Sequence, residues 1–366
     1  MNILQVIDSL RVGGSESLAA TLAEQFALRG MGNHICGLGA DGPLRDRLDA
    51  AGVPATHLVA TAGIRPGAML ALARLVRRER ADVILTHHFR QLVHAVPAAC
   101  LLRKTLVHVE HDYHSYEARP DVIGRFGQLA PFVHRFVFVS ENIREWFVER
   151  LPRLAPKCAA IPNGVDTDRF QRDLDARARV REWVGAAEND FVVGTCARLE
   201  PIKDLPLLLD GFARMGERMK GTGRTARLVL VGDGSLRGEL AERARALGIE
   251  DRCRFAGVVD DVHNWLSGMD AYAITSVDEG LPLSVMEAMS ADLPVVAVNV
   301  GSLADVIDPE VGALLEGRSP DELAARLADL AAAPETARGL GRNGRTRIVK
   351  THSVAVMVDD YLAAMR

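Results

Sequence analysis

The sequence predicts an α/β protein built as two doubly wound parallel-sheet domains in tandem. Three observations carry this. The chain has 366 residues, too many for one ordinary domain and enough for two of similar size. Short apolar runs alternate with stretches of helical periodicity, the pattern of strands joined by crossover helices. A turn-rich segment, Ile161-Pro-Asn-Gly-Val-Asp166, interrupts the alternation near the middle, and the alternation then restarts. The expected domains are 1–167 and 168–352, with a terminal helix over 353–366 packing back on the first.

The elements follow in order. Residues 2–8 form an apolar strand, Gly13-Gly14 a turn, and 18–26 a helix with apolar residues at helical spacing. A strand over 34–38, a helix over 44–51, a helix over 69–79 and a strand over 82–86 continue the pattern. Strands at 105–110 and 136–140 come next, then a helix at 141–149 that meets the breakers Pro152 and Pro156. In the second half, strands are expected at 191–197, 226–231, 253–255, 271–275 and 294–299. Helices are expected at 205–212, 235–247, 284–289 and 321–333, followed by the Gly-rich stretch 339–344 and the last helix at about 353–364.

Bulk properties narrow the class. Hydrophobic residues make up 48% and charged residues 25%, ordinary for a soluble globular chain. No apolar run approaches the 18 or so residues of a spanning helix. The N-terminus enters a strand without the layout of a secretion signal. The five cysteines are widely spaced and odd in number, which argues for reduced thiols in a cytoplasmic protein. Net charge is −4, split unevenly: residues 1–165 hold 19 Lys+Arg and 15 Asp+Glu, leaving 25 against 33 in the remainder. Nine of the 11 histidines also lie in that first part. A basic, His-rich half suits an anionic partner or membrane surface, although so small an excess also arises by chance.

Four features of the second half converge at the strand ends where open α/β sheets bind ligands. Arg198 follows a strand, and Lys203 precedes a helix five residues on, so both cations can reach one anion. Alone, two surface charges would be the plainer reading. Val231-Gly-Asp-Gly-Ser-Leu-Arg-Gly238 is a strand-to-glycine turn without dinucleotide spacing, read as close backbone packing against a nucleotide or simply as a turn. Arg254-Phe-Ala-Gly-Val258 offers backbone to edge a flat base. The fourth is Ser276-Val-Asp-Glu279-Gly-Leu-Pro-Leu-Ser-Val-Met-Glu287. Pro282 suits a helix start. The N–H groups around Leu283, Ser284 and Val285 would then face an anion, flanked by Glu279 and Glu287. An acidic helix start is common by itself, but not this whole string.

These motifs resemble those of the family 4 retaining glycosyltransferases. Glu279 to Glu287 looks like their E-x7-E motif, Gly194 to Asp204 their Gly-x-x-x-Arg-Leu-x-x-x-Lys segment, Ile161 to Asp166 their interdomain signature, and Gly13-Gly14-Ser15-Glu16 their N-terminal glycine loop. The matches keep the family's order over nearly the whole chain. The resemblance implies a GT-B fold, two Rossmann-like domains facing across a cleft, and a nucleotide sugar as donor, with a UDP-sugar favoured. It implies that Arg198 and Lys203 bind the diphosphate, Glu287 the ribose hydroxyls and Glu279 the sugar hydroxyls. Backbone around Val258 would meet the base, and Gly280, Leu281, Leu283, Ser284 and Val285 would complete the donor site. Gly14 would let the first loop approach the phosphates. Two cations and a helix start can hold the leaving charge, so no cofactor and no metal are expected. The Asp-x-Asp pairs Asp166/Asp168 and Asp173/Asp175 are read as turn or surface residues. The chain departs from the family where a Gly-Gly pair and a Glu are common: here stand Val300-Gly301-Ser302-Leu303-Ala304-Asp305.

On the first domain, Val109-Glu110-His111-Asp112 resembles the family's active-site His segment, which places His111 near the reacting carbon. Gly13, Ser15, His87 and His111 are the expected acceptor side; His88 reads more simply as a strand-end residue. Glu110-His-Asp-Tyr-His-Ser-Tyr116, with Trp146, resembles exopolysaccharide sugar transferases, pointing to a glycan or lipid-linked acceptor. Arg74, Arg77 and Arg78 share a helix face beside Arg65 and Arg80. That face could rest on anionic lipid at the inner membrane surface or be merely solvated. No nucleic-acid partner is expected. The competing readings are a nucleotide-sugar epimerase of the same architecture and a non-catalytic nucleotide-sugar-binding partner.

Overall fold

The computed structural model describes residues 1–366 apart from Val12, residues 59–62 and Ala118. The chain forms two compact units. One comprises Met1–Asn163 together with Ala355–Arg366, the other Gly164–Val354. The observed division thus falls a few residues before the expected one.

The first unit is built on the strands β1 (Asn2–Ile7), β2 (Gly32–Gly37), β3 (Ala55–His57), β4 (Val83–His87), β5 (Thr105–Glu110), β6 (Arg135–Phe138) and β7 (Cys158–Ala160). They lie in the order β3-β2-β1-β4-β5-β6-β7, and every pairing is parallel. The order reverses at β1, so the helices that follow the paired β1 and β4 leave toward opposite faces and a crevice opens at the strands' C-terminal ends. Alternation sorts the β1 side chains: Leu4 and Val6 enter one apolar layer, Ile7 the other. The helix Gly14–Leu28 covers the second layer through Ala19, Ala20 and Ala23. The returning segment Ala355–Arg366 buries Met357, Val358, Tyr361 and Met365. It is also tied to the first helix by an Arg29–Asp359 ion pair of 2.6 Å.

The second unit repeats the plan with β8 (Phe191–Cys196), β9 (Ala226–Val231), β10 (Cys253–Gly257), β11 (Ala271–Ile274), β12 (Val295–Val298) and β13 (Gly312–Leu315). Their order is β10-β9-β8-β11-β12-β13, again all parallel. The switch point now lies between β8 and β11. Both sheet faces are covered. Val193, Leu228, Leu230, Ala273 and Val296 go to one layer, and Val192, Val229, Tyr272 and Ala297 to the other. Continuous apolar runs such as Leu228–Val231 follow from that two-sided burial.

Several elements differ from the expectation. The helix His88–Leu102 follows β4 directly. It buries Leu92, Ala95, Ala98 and Ala99 but also Gln91 and His94, and contains Pro97, so its periodicity is masked. The helix Pro334–Thr351 runs straight through the Gly-rich stretch. Gly341 is required there, since a Cβ on it would stand 1.9 Å from the Asp292 carbonyl oxygen. The helix Leu174–Val184 starts at Asp173, whose carboxylate accepts from the Ala176 N–H at 2.7 Å. Asp166 accepts from the N–H groups of Asp168 and Arg169 at 3.2 and 3.0 Å. Both Asp-x-Asp pairs therefore have local work in a turn and a helix cap. Among the described residues, no helix is long and apolar enough to cross a membrane.

Candidate active site

At the switch point of the second sheet, the loops after β8, β9, β10 and β11 gather. β8 ends at Cys196 and hands on to Ala197 and the exposed Arg198. The loop after β9 lies against it so closely that glycine is needed at two positions. A Cβ on Gly232, whose φ is +128°, would sit 2.0 Å from the Ala197 carbonyl oxygen, and one on Gly234 would sit 2.6 Å from that of Leu199. The glycine turn therefore packs against protein backbone. A cavity of about 290 Å³ opens at this point, lined by Arg198, Val258, Ser284 and Glu287 among others. Val258 is 80% exposed, so its apolar side chain is available to a flat ligand.

Glu287 is half-buried in the first turns of the helix Leu283–Ser290. Its carboxylate makes no hydrogen bond among the described residues. Burial, eased by the charge of Arg169, raises its pKa from the ordinary 4.5 to about 7. A carboxylate this poorly solvated gains from hydroxyl donors. Ser284 lies at the second helical position, where an N–H has no partner within the helix. Val285 departs from the expectation. Its N–H donates to the Pro282 carbonyl at 3.1 Å, and its side chain is fully buried. It supports the site from the core and offers no free N–H. Leu281 is likewise packed on the core, whereas Leu283 is 43% exposed.

Lys203 and Glu279 meet each other. Lys203 Nζ lies 2.5 Å from Glu279 Oε1, and the Ser276 hydroxyl donates to the same oxygen at 2.5 Å. The pair is largely shielded, with side-chain exposures of 19% and 9%. The loops carrying the two residues are laced together. The Thr275 hydroxyl donates to the Lys203 and Asp204 carbonyls at 3.1 and 3.0 Å, and the Val277 N–H to Ile202 O at 2.8 Å.

Arg318, which the sequence reading missed, completes the lacing. It donates to the Ser276 and Thr275 carbonyls at 2.9 and 2.8 Å and pairs with the Asp204 carboxylate. Asp204 itself sits at φ +39°, a strained turn held from both sides. Gly301 was also missed as a site residue. Its φ is +56°, and a Cβ there would lie 1.6 Å from the Glu279 carbonyl oxygen. The Ser302 N–H donates to Gly280 O at 3.3 Å. The Val300-Gly301-Ser302 turn is thus the floor of the Glu279–Gly280 loop. A lone glycine after a strand was the only signal for it, and nothing marked Arg318.

A larger cavity, about 590 Å³, lies at the opposite, N-terminal ends of the same strands, near Phe191, Asp270 and Pro294. Its arginines are engaged. Arg177 and Arg181 clamp Asp270 at 2.7 and 2.8 Å, and Arg224 donates to Asn189 O at 2.9 Å. That network fastens the helix Leu174–Val184 to the sheet, and the smaller cavity is the better ligand site.

The first unit places a second cluster at its own switch point. Glu110 ends β5 fully buried. It receives His88 Nδ1 at 3.2 Å, His108 Nε2 at 3.3 Å, the His111 N–H at 3.1 Å and the Tyr116 hydroxyl. Burial alone would raise its pKa, but the bonds and charges of His108 and His88 outweigh it and hold the carboxylate ionised. The same logic acts on His88: burial lowers its pKa, the Glu110 bond and charge raise it more, and the net shift is upward. His88 sits at φ +65°, unusual for a non-glycine residue. His111 goes the other way. Burial and the nearby His88 push it down to about 3, and burial similarly keeps His87 neutral. His87 Nδ1 and His111 Nε2 are 3.1 Å apart.

Gly13 precedes the helix Gly14–Leu28 as its N-cap, without a side-chain cap. The Ser15 hydroxyl donates to Glu16 at 2.9 Å. An added Cβ on Gly14 would meet nothing within 4 Å, so that side of the turn is open. The charge of Glu16 adds to the upward shift of His88, which puts the glycine loop and the histidines at one edge. In the segment 110–116, the side chains of His114 and Ser115 lie outside the described residues. Tyr113 stacks on Trp146 with centroids 5.3 Å apart. Among the described residues, His88, Glu110 and Asp112 bring one ligand atom each within 4.8 Å of one another. Both Glu110 oxygens already hold protein donors, so the group fits a hydrogen-bond network better than a cation cage.

Known proteins resemble this chain in sequence and fold. Residues 12–169 match the model of Glycosyltransferase Family 4, and residues 177–347 that of Glycosyl transferases group 1. A GDP-mannose-dependent alpha-(1-6)-phosphatidylinositol monomannoside mannosyltransferase of Mycolicibacterium smegmatis is 31% identical over 220 residues, 57% of this chain and 56% of that protein. The UDP-Gal:alpha-D-GlcNAc-diphosphoundecaprenol alpha-1,3-galactosyltransferase of Escherichia coli is 26% identical over 302 residues, 80% of this chain and 76% of that one. The chain spans about half the length of the first curated relatives it matches. Among solved structures, Anabaena Alr3699/HepE in complex with UDP superposes with a TM-score of 0.85 at 22% identity, covering 100% of this chain and 99% of that one. The chain therefore has the GT-B fold and consists of a Glycosyltransferase Family 4 segment followed by a Glycosyl transferases group 1 segment, both glycosyltransferase domains.

Proposed function

We propose that the chain is a retaining, metal-independent glycosyltransferase that moves a hexose-type sugar from a nucleoside-diphosphate sugar to a glycan or lipid-linked acceptor in cell-surface polysaccharide synthesis. The observation that carries the donor half is the cavity shared by Arg198, Val258, Ser284 and Glu287, with the Lys203–Glu279 pair on the segments that follow Arg198 and precede Ser284. Val258 suits a base and Glu287 the ribose hydroxyls. Arg198 and Lys203 suit a diphosphate, and Glu279 the sugar hydroxyls. Lys203 and Glu279 neutralise each other in the free protein. Donor binding exchanges that one ion pair for two sets of ligand contacts, diphosphate on the lysine and sugar hydroxyls on the carboxylate. The leaving diphosphate then meets fixed positive charge and helix N–H groups in a half-buried site, where such charges act most strongly.

A UDP-sugar is the favoured donor, supported by the UDP bound to the Anabaena protein and by the UDP-Gal donor of the Escherichia coli relative. Retention is supported by the state of the first unit's groups. Glu110 is enclosed by donors, and His111 is a weak base at about 3. Neither suits the strong base that an inverting transfer asks of its enzyme. Membrane contact is supported by the helix Pro66–Arg78, which buries Leu72, Leu75 and Val76 and exposes Arg74, Arg77 and Arg78 with Leu70. Such a face suits the anionic inner leaflet.

The test is product analysis with UDP-, GDP- and ADP-sugars in excess EDTA. Release of nucleoside diphosphate with extension of a lipid-linked glycan is expected, with the anomeric configuration kept. An epimerised donor, binding without turnover, or activity that returns only with manganese or magnesium would overturn the corresponding part. Flotation with anionic vesicles tests the membrane contact: salt-sensitive binding is expected, and its absence discards that part.

A further inference from the structure

β1 carries one polar residue in its apolar run, Gln5, and it is fully buried. A buried amide has to find partners, and those of Gln5 fix more than its own position. Its Nε2 donates to the Ala19 carbonyl at 3.0 Å. Flipping the amide would set two oxygens against each other there, so Oε1 is held toward His87, whose Nε2 lies 3.3 Å away. An oxygen with only lone pairs demands a proton on that nitrogen. His87 is fully buried and neutral, so its one proton is on Nε2 and its Nδ1 is a lone pair. That lone pair faces His111 Nε2 at 3.1 Å, which must then be the N–H. The remaining nitrogen of His111, Nδ1, has no protein partner among the described residues.

From this proton inventory we infer that Gln5 and His87 are positioning residues that lock His111 in its Nε2–H form, so that His111 Nδ1 meets the substrate as an acceptor for a hydroxyl. The inference rests on the glycosyltransferase reading for the identity of the hydroxyl-bearing ligand, a sugar or glycan, but not for the tautomer itself. It assigns different work to the two neighbouring histidines. His88 Nδ1 donates to Glu110, which favours the protonated ring, and its side chain is 34% exposed, so His88 presents a donor, its Nε2–H, at this edge only as an imidazolium. An anionic group would be met by a protonated His88, a hydroxyl by His111. The chain Gln5–His87–His111 runs from β1 through β4 to the residue that follows β5, and the three strands are adjacent. The sheet that forms the switch point thereby also sets the proton of the residue standing on it. The nitrogen left over on a histidine is generally decided in this way, by the bond its other nitrogen makes.

The decisive measurement is imidazole nitrogen NMR on the full chain labelled with 15N-histidine, at pH 7.5, with His111 assigned by its loss in His111→Gln. The expected result is a protonated Nε2 and an unprotonated Nδ1 for His111. An Nδ1–H form or an imidazolium overturns the inference, whatever the enzyme's activity proves to be. The second arm is Gln5→Met, which keeps length and apolar bulk but removes the acceptor. The His111 signals should shift toward the other tautomer or an average of the two, and turnover should fall about tenfold or more with the donor KM near wild type. Unchanged His111 signals in a folded Gln5→Met protein overturn the positioning role. If the tautomer is as expected and no sugar is transferred, the glycosyltransferase reading fails and the proton inventory stands.

Discussion

Replacing Glu287 by Gln should make the free protein more stable while weakening its hold on the donor. In the ligand-free fold the carboxyl is raised from its ordinary 4.5 to about 7, chiefly by burial. At 1.36 kcal/mol per pH unit, keeping it charged costs the folded state about 3 kcal/mol. The folded state binds this proton more tightly than the unfolded chain. The contribution of Glu287 is therefore most favourable below about 4.5 and is lost as pH rises toward and through about 7. Glutamine has the shape of the protonated acid and never takes the charge. At pH 8 the variant should exceed the wild type by about 3 kcal/mol, and at pH 5 by about 1 kcal/mol or less. For a unit of this size, the pH 8 gap corresponds to about 6 °C or more in Tm. Thermal unfolding of both proteins at the two pH values, followed by titration with UDP and UDP-sugars, reads each half of the prediction. Equal stability at pH 8, or the same gap at both pH values, refutes the argument that Glu287 is a desolvated charge waiting for hydroxyl donors. Undiminished nucleotide affinity refutes its place in the donor site.

Other outcomes follow from the same geometry. Gly301→Ala should displace the Glu279 loop and destabilise the second unit by about 1–3 kcal/mol, seen as a lower Tm and weaker donor binding; a Tm equal to wild type refutes the close approach. Arg318→Leu should raise the donor KM more than it lowers the Tm, since it frees the loops that hold Lys203 and Glu279, and Arg318→Lys should restore only part because it cannot reach all three acceptors. Lys203→Met should leave Glu279 half-buried without its cation and cut turnover by about tenfold or more; initial rates at saturating donor check it. Gly341→Ala should destabilise by about 1 kcal/mol or more through the Asp292 backbone without changing donor affinity, which separates packing from chemistry.

Local pattern made most of the fold legible. The continuous apolar runs of β8, β9 and β12, buried on both faces, and the turn at Ile161–Asp166 are written in short windows. The helices that escaped notice lack such a window. His88–Leu102 buries Gln91 and His94 beside its leucines and contains Pro97. Pro334–Thr351 accepts three glycines, and of these Gly341 is held by the close approach of the Asp292 backbone while Gly344 lies in ordinary contact with Met289. The candidate site was legible where one short segment carried several of its residues, as from Glu279 to Glu287. It was not where the partners lie far apart in sequence. Lys203 and Glu279 stand 76 residues apart, and Arg318 reaches Ser276 across 42. The N–H expected to be free at Val285 is taken by Pro282, a detail of turn closure that residue types alone do not specify. Gln5 was visible as one polar residue in an apolar strand, but only the sheet order tells that it stands beside His87.

The membership of Ala355–Arg366 in the first unit bears on how the protein is made. A ribosome delivers Met1–Asn163 first, yet Ala355–Arg366, with its buried Met357, Val358, Tyr361 and Met365, can join that unit only after all of Gly164–Val354 has emerged. The nascent first unit must wait without its last, largely apolar segment while the second unit, contiguous in sequence, folds. Chaperone dependence should therefore concentrate on the N-terminal half. A fragment ending at Asn163 should aggregate where one spanning Gly164–Val354 stays in solution, and supplying Ala355–Arg366 as a separate peptide should rescue the former.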